Sequence, residues 1–132
     1  MKRFNQKETE FLESLEEARI ATSHENIPHV KPVSFVLDEN AIIIATDYKT
    51  RTYTNIKSNP KIGIVIDIYK SGGHKAVCIQ GKADIIEEGP EFKKLYDIFH
   101  KKFEWVRKDP WDENEAPFLK IIPKNKTSWG LD

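Results

Sequence analysis

The first periodic stretch of the chain follows Asn5. Phe11, Leu12, Leu15 and Ala18 recur at helical spacing, and Asn5 with Glu8 three residues on has the form of a capping box. The pattern predicts an amphipathic helix of about four turns. From Arg19 the period changes to two. "RIATS" reads as a short strand, "HENIP" as a turn, and "HVKPVSFVL" as an extended segment. Val30, Pro32, Ser34 and Val36 share one parity of that segment, and Lys31, Val33, Phe35 and Leu37 share the other. Pro32 has no N–H to give to a ladder, so it predicts a sheet edge, a bulge or a barrel seam.

"DEN" then closes a tight hairpin into the apolar run "AIIIAT", and "KIGIVIDIY" forms a further strand. "SGGH" is a turn leading into the long strand "KAVCIQGKADII", in which Gly81 marks a bend or bulge. Gly89-Pro90 starts a second helix with Phe92, Leu95, Tyr96, Phe99, Phe103 and Val106 along one stripe. A polar, acidic loop "RKDPWDENEAP" follows, and "FLKIIP" and "KTSWGLD" read as the last strands. About six or seven short strands joined by hairpins, with two long helices, predict a mainly β protein, an antiparallel sheet closed into a small barrel. No repeat, low-complexity tract or linker divides residues 1–132, so a single domain is expected.

Composition narrows the partners. Lys and Arg number 21, as do Asp and Glu, which removes any global electrostatic drive toward nucleic acid or an anionic membrane. Aromatic residues are not interleaved with basic ones on a single strand, as a single-strand nucleic-acid platform requires. The one cysteine, Cys78, lies between Val77 and Ile79 in a strand pattern, and no segment has the length of a signal peptide or a membrane span. A cytoplasmic protein is expected.

The densest candidate chemistry lies in "ATDYKTRTYTNIKSNPKIGIVI", between two apolar strands. Thr50 is a good N-cap, which puts Arg51 and Thr52 in the first turn of a short helix and Ile56 on its inner face. Free backbone N–H groups, the hydroxyls of Thr46, Thr50 and Thr52, and the fork of Arg51 make a competent site for a phosphate monoester. A capped connector with a solvated arginine uses the same residues. Local chemistry leaves both readings open.

"HVKPVSF", "AIIIATDYKTRTYTNIKSNPKIGIVID", "IQGKADII" and "IIPKNKTSWG", taken in order from about Arg19 to the C-terminus, resemble the pyridoxamine 5'-phosphate oxidase-like family of FMN-binding split-barrel flavoproteins. The resemblance implies a six-stranded antiparallel split β-barrel with flanking helices, a homodimer, and FMN at the subunit interface. It implies that Thr46, Arg51 and Thr52, with Thr50 beside them, hold the phosphate. It also implies that Lys31, Val33 and Ser34 lie along the flavin ring, and that Trp129 packs by the cofactor from the other subunit. Thr52 stands where the family has Lys, with Lys49 and Lys57 nearby to compensate. "KTSWGLD" lacks the family's Arg-and-His substrate motif, so the expectation is a flavin-dependent oxidoreductase acting on a small molecule other than a vitamin B6 compound. Alternatives are a reductase using a deazaflavin coenzyme and a non-catalytic flavin- or haem-binding module.

Other residues carry less. His24, His29, His74 and His100 lack metal-ligand spacing. Asp84, Glu87 and Glu88 fall at a strand end, where a solvated turn is expected. The lysines at 93, 94, 101 and 102 lie off the apolar stripe of the second helix, where solvated charge is the reading. Trp105 and Trp111 flank the acidic loop and suit either a substrate wall or packing of the loop onto that helix.

Overall fold

The computed structural model describes residues 2–132. Helix α1 (Gln6–Glu13) opens with the expected capping box: Asn5 accepts from the Glu8 N–H and Glu8 accepts from the Asn5 N–H. It is half the predicted length. The Ser14 hydroxyl donates to the Phe11 carbonyl, a local bond that competes with helix continuation, and Ala18 is taken into a strand instead. That strand, β1 (Glu17–His24), pairs with β2 (Ile27–Asp38) through all eight of its residues, from Glu17 opposite Ser34 to His24 opposite Ile27. An eight-residue ladder outweighs the last turns of a short helix. Glu25 and Asn26 turn the hairpin with positive φ at both positions, as a two-residue connection demands.

β3 (Ala41–Ala45) follows the hairpin, then α2 (Arg51–Ser58), β4 (Lys61–Ile68), β5 (Lys75–Ile86), α3 (Gly89–Lys102), α4 (Glu104–Lys108) and β6 (Phe118–Trp129). The strands close in the order β1-β2-β3-β6-β5-β4, every pair antiparallel. The C-terminal segments expected as two strands are one continuous β6. It pairs with β3 through Phe118–Ile121 and with β5 along its length, which closes the barrel. The ladder slips at Gln80/Gly81, opposite Pro123. A Cβ on Gly81 would stand 2.8 Å from the Ile122 carbonyl oxygen, so the bulge requires glycine, and it places Pro123 where no donor is demanded.

The run "AIIIA" is continuous because β3 is covered on both faces. Ile42 and Ile44 point into the barrel with Ile20, Phe35, Ile66 and Leu119, while Ile43 points outward against Phe92, Phe99 and Phe118 under α3. Side chains of this size contribute about 1.5–3 kcal/mol each when fully buried. Lys102, read from the sequence as solvated, is partly buried. Its ammonium donates to the carbonyls of Leu15 and Phe35 and lies over the Phe35 ring. Burial lowers its pKa, with the charges of Glu13 and Glu16 opposing. The long aliphatic stem lets a lysine at the end of α3 bind carbonyls across the gap to the barrel. No helix among the described residues is long and apolar enough to cross a membrane.

Glu8 fastens α1 to the last strand. It is 1% exposed and accepts from Lys126 Nζ at 2.7 Å and Ser128 Oγ at 2.6 Å. Burial raises its pKa, but the bonds from Lys126, Ser128 and the Asn5 backbone and the Lys126 charge outweigh burial and leave it lowered. A lowered carboxylate stabilises the fold above its unfolded value of 4.5, and that contribution is lost as pH falls through the folded value. Glu8→Gln is therefore expected to cost about 1–3 kcal/mol at pH 7, with the gap to wild type closing below that range. Urea midpoints measured across pH 3–7 check this, and a gap independent of pH would contradict it.

Candidate functional site

β2 and its neighbour β3 differ in length, twelve residues against five. β3 pairs only with Phe35–Asp38, so the edge of β2 from Ile27 to Ser34 has no strand on that side among the described residues. Pro28 and Pro32 fall within this open edge, as the sequence led one to expect of Pro32. Beyond the end of β3 the chain turns at Thr46–Thr50 into α2. Three cavities follow β2: one of about 270 Å³ at His29, one of about 380 Å³ at Lys31 and one of about 430 Å³ at Val33 and Ser34. At the rise of a strand, His29 to Val33 covers about 13 Å, the reach of a mononucleotide-sized ligand.

The turn is tied down at both ends. Thr50 caps α2 by accepting from the Tyr53 N–H at 3.2 Å, and its own hydrogen goes to the Asp47 carbonyl at 2.8 Å. Thr46 Oγ1 lies 3.2 Å from Thr50 Oγ1, so in this pair Thr46 is the donor and Thr50 has none left. Of the two hydroxyls, only Thr46 could redirect its hydrogen toward a ligand, and it would give up its bond to Thr50 to do so. Tyr48 donates to Glu87 at 2.6 Å and stacks edge-on against Tyr53, which ties the turn to the end of β5. Burial, and then the Glu87 carboxylate, push the Tyr48 phenol well above its ordinary pKa.

The predicted residues are dealt out unevenly. Lys31, Thr46 and Thr50 line the middle cavity together with Asp47, Asp109, Glu115, Trp105 and Trp111. Arg51 is exposed and lines the neighbouring cavity with His24, His29 and Asn55. Val33 and Ser34 line the third with Glu16, Glu17 and Trp105. Thr52 is fully buried, and its Oγ1 has no hydrogen-bond partner. Its first-turn N–H, like that of Arg51, belongs to the set that a helix leaves without intrahelical partners. Lys49 and Lys57 are exposed and line neither cavity.

Trp129 sits elsewhere. It donates from Nε1 to His74 Nδ1 at 3.3 Å, so His74 must carry its hydrogen on Nε2, where Asp67 accepts it at 3.0 Å. Arg19 donates to the other oxygen of Asp67. Gly130, at φ 77°, allows this approach, since a Cβ there would overlap the His74 carbonyl. Trp129 is 43% exposed at the end of the barrel and lines none of the three cavities on β2. Trp105 and Trp111 lie together, and Trp111 packs the loop onto α3, one of the two roles the sequence allowed. Their rings stack at 5.9 Å and 6°, they wall the middle cavity, and Trp111 also packs on Tyr96 and Phe118.

A family model for pyridoxamine 5'-phosphate oxidase matches residues 4–128. The chain belongs to that family. Solved structures with this family fold include the heme storage protein HutZ from Vibrio cholerae, at TM-score 0.81 and 14% identity over 98% of this chain and 95% of that one. An FAD-binding protein from Mesorhizobium loti matches at 0.74 and 14%, over 91% and 89%. Another FAD-binding protein, from Mycobacterium smegmatis, matches at 0.69 and 15%, over 98% and 97%. Identities this low establish the shared split-barrel fold and nothing about ligand. No curated protein matches the chain.

His24, His29 and Asn55 were passed over in the sequence. Nothing local marks them, because the hairpin turn and α2 come together only through the barrel. Since Thr50 both caps α2 and receives Thr46, Thr50→Ala should destabilise the fold by about 0.5–2 kcal/mol while Thr50→Ser stays close to wild type. Denaturant melts of the two variants check this; equal losses would show that the hydroxyl is not the cap.

Proposed function

We propose that the chain is a flavoprotein that binds FMN along the open edge of β2 and works as a flavin-dependent oxidoreductase on a small molecule. The observation that carries the reading is the track of three cavities on an unpaired strand edge, ending at the N-terminus of α2 and Arg51, in a member of this family. Family membership makes a flavin the natural ligand. The free N–H groups of the first turn of α2, the Thr46 hydroxyl and Arg51 are the chemistry a phosphate monoester needs. Asn55, whose Oδ1 is buried without a partner, lines the cavity that holds Arg51, whereas Thr52, whose Oγ1 is also unpartnered, lines none of the three.

When bound, the flavin supplies the redox chemistry, hydride being accepted or donated at its ring. The chain's residues have the binding tasks. Lys31, Val33 and Ser34, on the strand that carries the open edge, are the residues this reading sets along a flat ring, with the Ser34 backbone facing the edge itself, and Trp105 and Trp111 line the adjacent space. No side chain is assigned as general acid or base.

The same edge argues for a homodimer. An unpaired strand bearing Ile27 at 67% and Val30 at 65% exposure is apolar surface that a second copy would cover. Trp129, remote from the cavities of its own protomer, is then placed to reach those of its partner.

The protein as purified should be a dimer by sedimentation and should carry or take up FMN, identified after denaturation by its chromophore. Arg51→Ala should weaken FMN binding by about 1.5–3 kcal/mol without changing the melting temperature. A chain that ignores FMN and takes up a deazaflavin coenzyme or haem would overturn the FMN reading in favour of that ligand.

A further inference from the structure

We propose that the outer face of the barrel carries a second, separate binding site, for a small polyanion, formed by Lys61, Lys82 and Lys124. The inference does not rest on the flavin reading above.

The site is a cavity of about 500 Å³ over β1, β4, β5 and β6, lined by these three lysines and by no carboxylate among the described residues. It shares only Pro28 with the cavities that follow β2. The chain as a whole has as many acidic as basic residues, so three cations gathered without a counter-charge are a local segregation. None of the three takes part in an ion pair among the described residues. Asp84, two residues beyond Lys82 on β5, stands opposite Lys120 and does not line the cavity.

Two features of the ladders bring the lysines together. Lys61 and Lys82 are register partners on β4 and β5, and each alternates with residues that face the core, so both side chains leave the barrel on the same side. Like charges placed directly opposite on one face of a sheet repel. An anion between them turns that repulsion into attraction. Lys124 arrives by way of the bulge: Gln80 pairs with Asn125 and Gly81 with Pro123, which leaves Lys124 as the extra residue of β6. A bulge re-aims the side chain it releases, and this one lines the cavity of the other two.

Gly63 keeps the floor of the cavity open. It lies within β4, opposite Ala21 on one side and Gln80 on the other. Its φ is outside the left-handed region, and a Cβ there would meet Ala21 and the Ile79 carbonyl at 3.9 Å, an ordinary contact. Neither the backbone nor the packing requires glycine at this position. A glycine inside a strand weakens it, and one that the fold does not demand marks a place where something approaches closely. Lysine ammoniums are point charges on flexible stems, without the fixed fork of arginine, so the site selects for number of charges rather than for shape. The ligand class is a small molecule with two or more anionic groups, phosphoryl or carboxylate.

Calorimetric titration of the intact protein at low ionic strength tests this, with inorganic pyrophosphate and citrate as probes and acetate as the monoanion control. Both polyanions should bind saturably at one site per chain and acetate should not; the tighter of the two names the ligand's anionic group. Lys61→Gln combined with Lys82→Gln should weaken binding about tenfold or more, whereas Arg51→Ala should leave it unchanged. Without ligand, the same double variant should have a urea midpoint above wild type, because a repulsion is gone. Polyanion binding that is absent, that acetate matches, or that is lost with Arg51 and kept without the two lysines overturns the inference. So does a double variant that binds as wild type does but changes its sedimentation, which would make this face a contact between copies. Polyanion binding in a protein that takes up no flavin supports the site and removes only the flavin reading.

Discussion

The mismatch between a twelve-residue β2 and a five-residue β3 governs the molecule. Backbone polar groups on a strand need partners, and β3 provides them for only the last four residues of β2. The remaining edge is left to solvent, a second chain or a ligand. Everything that gives this edge chemical character depends on where β3 stops. The chain leaves the sheet at Thr46, the capped turn starts α2 beside the edge, and α4 and the acidic loop bring Trp105 and Trp111 beside it. A longer β3 would pair the edge and abolish the cavities.

β3 can stop early without loosening the barrel because β6 carries the closure. It pairs with both β3 and β5, and the slip at Gly81 lets a proline sit within it. The two apolar clusters, one inside the barrel and one beneath α3, meet at β3, where Ile42, Ile43 and Ile44 alternate between them. The short strand is thus among the most completely buried segments, and its end is a firm base for the turn that follows.

Much of this was legible in the sequence where a local rule applied. The unbroken "AIIIA", Gly81 at a bulge, Pro32 on an edge, Pro90 opening α3 and Thr50 as a cap all follow from backbone geometry and period. What escaped depended on distant parts of the chain. α1 ends early because β1 is claimed by a ladder with β2, and Lys102 is drawn in by carbonyls of Leu15 and Phe35. Thr52 turns inward because the inner face of α2 is set by packing on β1. The site was half legible for the same reason. Thr46, Thr50 and Arg51 are neighbours in sequence, but the structure sends Arg51 to a different cavity from the two threonines and gives it His24, His29 and Asn55 as company.

Split-barrel proteins described as binding FAD and as storing heme share this fold at 14–15% identity, so the fold alone does not choose a ligand. On the reading proposed above the ligand lies along the β2 edge, and amide hydrogen exchange with and without FMN reads that edge directly. Slowed exchange at the amides of Val30 and Ser34, which face the open edge, and at Arg51 and Thr52, with the rest of the barrel unchanged, is the predicted result. Protection confined to the β4–β5 hairpin or absent throughout, in a sample shown to bind FMN, would contradict the edge as the site.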